Sequence, residues 1–505
     1  MDVESLGPVL LEASGVLLVA VAAVRLSVRS GLPSLLLYLG IGLLIGEAGL
    51  GVHFDDAELT GVLGYSALVI ILAEGGLTTR WATIRESIRP AGVLAVLGTC
   101  VSIGVTGAAA HWILDLDWTT GLLLGATVSS TDAAAVFSVL RLVPLPGRLA
   151  GLLEAESGFN DAPAVIAVIA LTAHPVGQSG SSWLLLVLEG AGELAIGTAI
   201  GLGVGWLGAQ GLRRVALPSS GLYPIAVMAL AAGSFGAAAT LHGSGFLATY
   251  LTCLVLGNAR LPHGAAVRGF AEGLGWVAQI GLFVLLGLLA TPSRLPAQVL
   301  PAIAIGLVLL LVARPLSVLV SVSWFRVSWR EQAFLSWAGL RGAVPIVLAT
   351  IPLSHGVPGA ARIFDLVFVL VVVFTVVQGP TLPAIARLLA IGADVSAVDL
   401  DVESSPLGAL DADVIHVKIG PTSRLHGVEL FELRLPSRAN VTLVVRGQDA
   451  FVPDPHTVLR HGDDLIVVAA GGVREASERR FRAVSTGGRL AGWRPGSALR
   501  RAGGS

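Results

Sequence analysis

The sequence predicts an all-α polytopic membrane protein of about thirteen transmembrane helices, two of them interrupted, followed by a small α+β soluble domain. Three observations carry this. Of 505 residues, 54% are hydrophobic and only 13% charged, about half the charge of an ordinary soluble domain. Apolar windows of about 20 residues, the length that crosses ~30 Å of hydrocarbon as a helix, recur from residue 8 to 390. Beyond residue 390 the composition turns polar, and short alternating apolar runs replace the long ones.

The expected spans are 8–28, 32–50, 60–78, 90–112, 119–142, 149–173, 183–209, 221–241, 243–258, 267–290, 297–320, 331–352 and 363–390. The first follows an acidic start and lacks a small-residue cleavage site, so it reads as a retained span rather than a signal peptide. In the seventh, Gly197, Gly201 and Gly205 recur every fourth residue, a face on which a second helix can approach closely. Loops after odd-numbered spans, the one after span thirteen aside, hold thirteen arginines between Arg25 and Arg330. The opposite loops hold Arg294 and Arg362 beside Asp55, Asp56, Glu58, Asp115 and Asp117. Arginine accumulates in cytoplasmic loops, which predicts a cytoplasmic-membrane protein with its N-terminus outside and its C-terminus inside.

Residues 1–390 are thus the expected transmembrane domain and 391–410, with Asp394, Asp399, Asp401 and Glu403, an acidic linker. A soluble domain over 411–470 has expected strands at 414–419, 433–435, 441–445 and 465–468 and a short helix at 425–431. A core of roughly 60 residues is marginal, so pairing with a second copy is expected. The segment 471–505 holds eight arginines and reads as a disordered basic tail touching anionic headgroups. The net charge of −2 supplies no surface for nucleic acid. Cys100 and Cys253, far apart in apolar stretches, make neither a disulfide framework nor a CxxC pair.

An ionisable group at mid-span costs about 2.5–3.5 kcal/mol, so each needs a partner or a function. Counting ~1.5 Å per residue from the expected inner boundary puts Asp161 about 18 Å deep, and Asp132 and Arg341 about 15 Å. Glu156, Arg314 and Glu74 form a shallower layer, about 10, 9 and 6 Å deep on the same count. That layer reads as ion pairing that holds the bundle, because Arg314 is the expected cation at the depth of Glu156. Ser157, Asn160 and Asp161 fall at i, i+3 and i+4 of one helix, which turns a hydroxyl, an amide and a carboxylate toward one cavity. With Thr131 these supply oxygen ligands for a monovalent cation, held chiefly by Asp161, Ser157 and Thr131.

Spans five and twelve carry breaks. Val128-Ser129-Ser130-Thr131-Asp132 concentrates side chains that compete for backbone hydrogen bonds, and Gly339-Leu340-Arg341-Gly342-Ala343-Val344-Pro345 combines two glycines with a proline. Unwound backbone at membrane depth is tolerated where it lines a cavity or another helix, and matching breaks in two halves of a chain mark a transport site. Two kinked packing helices are the plainer alternative. Arg341 would compensate the negative half-helix ends that meet there. Asp161 can hold a proton or a dehydrated monovalent cation, but not both at once. Alternating exposure of such a site couples proton flow to cation flow in the opposite direction. One titrating acid gives one proton per cation and moves no net charge; a second, Asp132, would change that ratio.

With these residues in this order, the chain resembles the sodium/proton exchanger branch of the monovalent cation:proton antiporter superfamily over about 8–390. Thr131-Asp132 is similar to that family's mid-membrane break, Glu156-Ser157-Gly158-Phe159-Asn160-Asp161 to its Glu-Ser-x-x-Asn-Asp signature, and Gly339-Leu340-Arg341-Gly342-Ala343 to its second break. The resemblance implies a homodimer of thirteen-helix protomers built from inverted repeats, with Asp161 carrying ion and proton. It also implies that Asn160-Asp161, rather than a pair of aspartates, goes with electroneutral exchange. Residues 411–470 are similar to a TrkA-C regulatory domain through Leu425-His426-Gly427-Val428-Glu429-Leu430, Arg446, and Leu459-Arg460-His461-Gly462-Asp463. Such tails occur on bacterial potassium/proton antiporters, so the resemblance favours K+ over Na+ alone. No glycine-rich nucleotide motif follows a strand there. A small regulatory ligand of another kind is expected on 411–470, with a purely assembling role as the alternative.

Other classes fit less well. A ligand-gated cation channel would need a filter of the Thr-Val-Gly-Tyr-Gly type, which the sequence lacks. His242-Gly243-Ser244-Gly245 has no Gly-x-Ser-x-Gly elbow and there is no His-Glu-x-x-His, so no enzyme activity and no cofactor are expected. A proton-coupled organic-anion transporter would reveal itself by responding to carboxylates rather than to K+ or Na+.

Overall fold

The structure is a computed structural model, and it describes residues 6–30, 34–47, 49, 51, 56–132, 136, 145–174, 183–259, 261–391, 400–406, 412–420, 423–447, 449–470, 473–489 and 491. Outside these lie the second half of the fifth expected span with Arg141, Arg260, the acidic stretch 392–399 with Asp394 and Asp399, and residues 492–505. The chain divides into two compact units that part at Gly392 and Ala393.

Among its described residues the first unit is helical. Its main elements are α1 (Leu6–Ser30), α2 (Ser34–Ile45), α3 (Ala57–Thr78), α4 (Ile88–Leu114), α5 (Trp118–Thr127), α6 (Gly147–Ala173), α7 (Trp183–Arg214), α8 (Leu222–Thr240), α9 (Gly245–Asn258), α10 (Gly264–Leu289), α11 (Leu295–Phe325), α12 (Trp329–Trp337), α13 (Ala343–Ser354) and α14 (Ala360–Leu388). These occupy the expected span positions, α12 and α13 being the halves of the twelfth. Among the described residues, seven of the helices are long and apolar enough to cross a membrane. Short polar residues set their starts: Asp56 accepts from the Leu59 N–H (2.8 Å), Asp117 from the Thr120 N–H (3.0 Å), and Ser328 with Glu331 forms a capping box.

The two halves repeat one pattern. α4 and α11 each contain a π-helical turn, Leu94–Gly98 and Leu309–Ala313, and each precedes an interrupted span. The expected glycine face of α7 meets α9: a Cβ on Gly197 would stand 2.6 Å from the Ser244 carbonyl oxygen, and one on Gly201 2.7 Å from that of Ala248. Thr252 also donates to the Gly201 carbonyl (3.0 Å). The closeness that glycine permits is what binds these helices where no hydrophobic force acts between them.

The second unit is a five-stranded antiparallel sheet of order β1-β2-β5-β3-β4. Its strands are β1 (Leu400–Pro406), β2 (Ala412–Ile419), β3 (Ala439–Arg446), β4 (Asp449–Phe451) and β5 (Asp463–Ala470). Ile415, Val417, Val444, Leu465 and Val467 bury one face of it. Asp463, fully buried, takes both oxygens of its carboxylate to Arg446 (2.7 Å each), whose Nη2 also reaches the Val458 carbonyl (2.9 Å). The hydrogen bonds to the Asp463 carboxylate raise the Arg446 pKa further. Two sequence patches of this domain thereby brace each other.

Three expectations here need correction. The stretch read as an acidic linker, 391–410, contributes β1, which pairs antiparallel with β2 at the edge of the sheet. The residues 433–435, read as a strand, are the end of a 3-10 turn (Leu430–Leu433) closed by Arg434 in the left-handed region (φ 49°), and 425–431 forms turns rather than a helix. The tail read as disordered from 471 contains α15 (Arg474–Gly487), which buries Phe481 and Val484 fully. That apolar pair at i, i+3 marks the buried side of the helix, while Arg479 and Arg482 are exposed.

Candidate ion-binding site

The break in the fifth span is made by its own side chains. The hydroxyls of Thr127 and Ser129 turn back to the carbonyls of Leu124 (2.8 Å) and Ala126 (2.7 Å), and α5 stops. In the twelfth span, α12 ends at Trp337 and helix resumes at Ala343, with Pro345 in the first turn of α13, where its missing N–H costs nothing. The two unwound segments meet: the Asp132 N–H donates to the Leu340 carbonyl (2.9 Å). Gly342 is required at that crossing, because a Cβ there would collide with the Asp132 carboxylate.

The freed carbonyls are satisfied by Arg341, whose Nη1 donates to Ser129 O (2.9 Å) and Ser130 O (2.6 Å). A buried guanidinium thus caps the negative end of the half-helix α5, as expected from the sequence. The second break is held from α14, where Thr375 donates to Arg341 O (3.2 Å) and Gln378 to Trp337 O (3.0 Å).

Against this crossing lies α6. Asp161 Oδ1 accepts from the Ser130 hydroxyl (2.5 Å). Asn160 Nδ2 donates to Thr131 Oγ1 (2.5 Å), and the Ser157 hydroxyl to Thr131 O (3.0 Å). The i, i+3, i+4 set therefore meets the first break. Asn160 Oδ1 is buried with no hydrogen-bond partner among the described residues, which leaves an amide oxygen beside the carboxylate. Glu156 and Arg314, 2% and 4% exposed, form a two-pronged ion pair (2.6 and 2.8 Å) that joins α6 to the π-turn region of α11. Thr131 Oγ1 adds a longer contact to Glu156 (3.4 Å).

Glu74 departs from expectation. It takes no part in that pair; it lies on α3 against Gly275 of α10 and faces the same cavity as Asp161. Depth counted along a helix gives an axial coordinate only, and the direction in which Glu74 points is set by the packing of α3.

That cavity has a volume of about 210 Å³. Asp161, Asp132, Thr131, Ser157, Glu74 and Glu154 all line it. Sequence reasoning missed Glu154, although its place two helical turns before Asp161 puts it on the same face. It missed Ser130, named only as part of the break. It also missed Tyr250, whose ring packs so tightly on Gly158 that a Cβ there would collide with it. A carboxylate, hydroxyl and amide oxygens and one capped half-helix end make a site of hard oxygen donors suited to a small hard cation.

Comparison with known proteins identifies the family of both parts of the chain. Residues 16–388 match the family described as "Sodium/hydrogen exchanger, transmembrane", and residues 414–479 match the TrkA-C domain. The chain is 38% identical over 458 residues to the K(+)/H(+) antiporter NhaP of Alkalimonas amylolytica, covering 89% of this chain and 79% of that one. It is 37% identical over 494 residues to the K(+)/H(+) antiporter NhaP2 of Shewanella oneidensis, covering 95% and 84%. The solved structure of the sodium proton antiporter MjNhaP1 from Methanocaldococcus jannaschii has the same fold, with a TM-score of 0.66 at 21% identity over 75% of this chain and 99% of that one. The chain is a multi-pass membrane protein that belongs to the sodium/hydrogen exchanger family and carries a TrkA-C domain toward its C-terminal end.

Proposed function

We propose that this protein is a secondary antiporter that exchanges a monovalent cation, K+ in the first place, for a proton, one for one. The observation that carries the reading is Asp161, a buried carboxylate that faces a cavity at the crossing of two broken helices and is held there by Ser130. Cation and proton compete for it, with Asn160, Ser157 and Thr131 supplying neutral oxygens to the dehydrated ion and Asp132 close by. Arg341, by capping α5, keeps the crossing rigid while the carboxylate changes partner. The K+ assignment draws on the relatives named K(+)/H(+) antiporters. Na+ is a second substrate to test, because a relative 29% identical over 374 residues is named Na(+)/H(+) antiporter ApNhaP, from Aphanothece halophytica.

The arginine asymmetry between loops supports an N-terminus outside the cytoplasmic membrane and a TrkA-C domain inside it. A homodimer and a small regulatory ligand on the TrkA-C domain complete the reading. The test is the collapse of an imposed pH gradient in inside-out vesicles. KCl is expected to dissipate the gradient, NaCl to a lesser degree, and choline chloride not at all, with thiocyanate leaving the rate unchanged because no net charge moves. Dissipation by a carboxylate salt of choline, with none by KCl or NaCl, would instead indicate an organic-anion transporter.

A further inference from the structure

A second cavity, about 760 Å³, shares no lining residue with the ion cavity. Its walls come from α4 (Val96), α6 (Phe159), α7 and α9 (Leu251). On α7 the lining residues Thr198, Leu202, Trp206, Gln210 and Arg213 follow one another by about a helical turn. From Thr198 to Arg213 this stripe runs about 22 Å at ~1.5 Å per residue, about half of the ~40–45 Å that a bilayer spans with its headgroup layers. The slot therefore has the depth of a single leaflet. It is apolar along its length and polar at one end.

At that end stand Arg213 and Gln210, with Trp81 also in the lining. Arg213 makes no hydrogen bond or ion pair with any described residue and is exposed. Asn258, also at the rim, is fully engaged: it accepts from the Trp81 N–H (2.7 Å) and donates to Thr79 O (2.9 Å) and Leu254 O (2.8 Å), so it fixes Trp81 in place. α7 is the least covered of the long spans, with 11% of its apolar window buried against 33–67% in the other six.

We propose that this slot binds an anionic phospholipid, with an acyl chain along the Thr198–Trp206 stripe and the headgroup phosphate on Arg213. An uncompensated guanidinium at the interface attracts an anionic headgroup, and Trp81 at the rim marks headgroup level. A second copy of the chain would present a convex helix face and fill a concave slot walled by four helices poorly. The leaflet is the cytoplasmic one in the orientation proposed above. The site itself does not depend on the transport reading.

The test uses the full-length protein, purified and delipidated in detergent. 1-Palmitoyl-2-oleoyl-phosphatidylglycerol is expected to raise Tm by at least about 3 °C, phosphatidylcholine less, and inorganic phosphate not at all. Arg213→Gln should reduce the phosphatidylglycerol shift to that of phosphatidylcholine. Leu202→Trp, which fills the slot from an exposed position, should remove both shifts and the lipid retained in native mass spectrometry. An equal shift with inorganic phosphate, or a phosphatidylglycerol shift that survives both variants, overturns the proposal. A change of oligomeric state in Leu202→Trp without loss of retained lipid would assign the slot to a second copy and overturn it as well.

Discussion

Asp161→Asn is expected to lower cation-dependent proton movement by at least about 100-fold, a loss of ~2.7 kcal/mol at ~1.36 kcal/mol per decade, while the protein stays folded. The amide matches the carboxylate in shape, and its oxygen can still accept from Ser130. What it cannot do is hold a negative charge for a cation or take up a proton at neutral pH. Elution as a single peak by size exclusion, with transport gone in vesicles, is the expected combination. Residual exchange above about a tenth of wild type would move the carrier to Asp132 or Glu74, which face the same cavity.

The second large effect lies at the buried pair. Glu156→Gln leaves the Arg314 guanidinium without a counter-ion in a site where both partners are almost fully buried, and Arg314→Met leaves the carboxylate alone. Either change is expected to destabilise the protein by about 3–5 kcal/mol, read as loss of the monodisperse peak on heating. The double variant Glu156→Leu/Arg314→Met removes both charges, and it should recover most of that loss as a positive coupling between the sites. If the double variant is as unstable as the sum of the singles, the pair does not hold α6 to α11.

Much of the site was legible in the sequence because membrane depth makes charge expensive. Glu156 and Arg314 could be paired by depth, and the two breaks could be located because Ser, Thr, Gly and Pro are concentrated where a helix would otherwise continue. The spacing of Ser157, Asn160 and Asp161 fixed their shared face. The structure adds the azimuth. It directs Glu74 to the cavity instead of to Arg314, and it brings Ser130, from the break in the fifth span, onto Asp161. In the soluble domain, the averaged composition of 471–505 hid a helix whose register is set by two apolar residues. β1 was hidden in the same way, since an edge strand can be acidic and still pair through its backbone.

The claim that one carboxylate serves both ions is tested most directly by measuring the apparent KM for K+ in vesicles over a series of pH values. Competition at Asp161 predicts that KM rises as pH falls, approaching roughly tenfold per pH unit at the acidic end, while the maximal rate reached at saturating K+ is restored at each pH. A KM independent of pH, with the maximal rate alone falling, would mean that proton and cation bind at separate groups and would contradict the account.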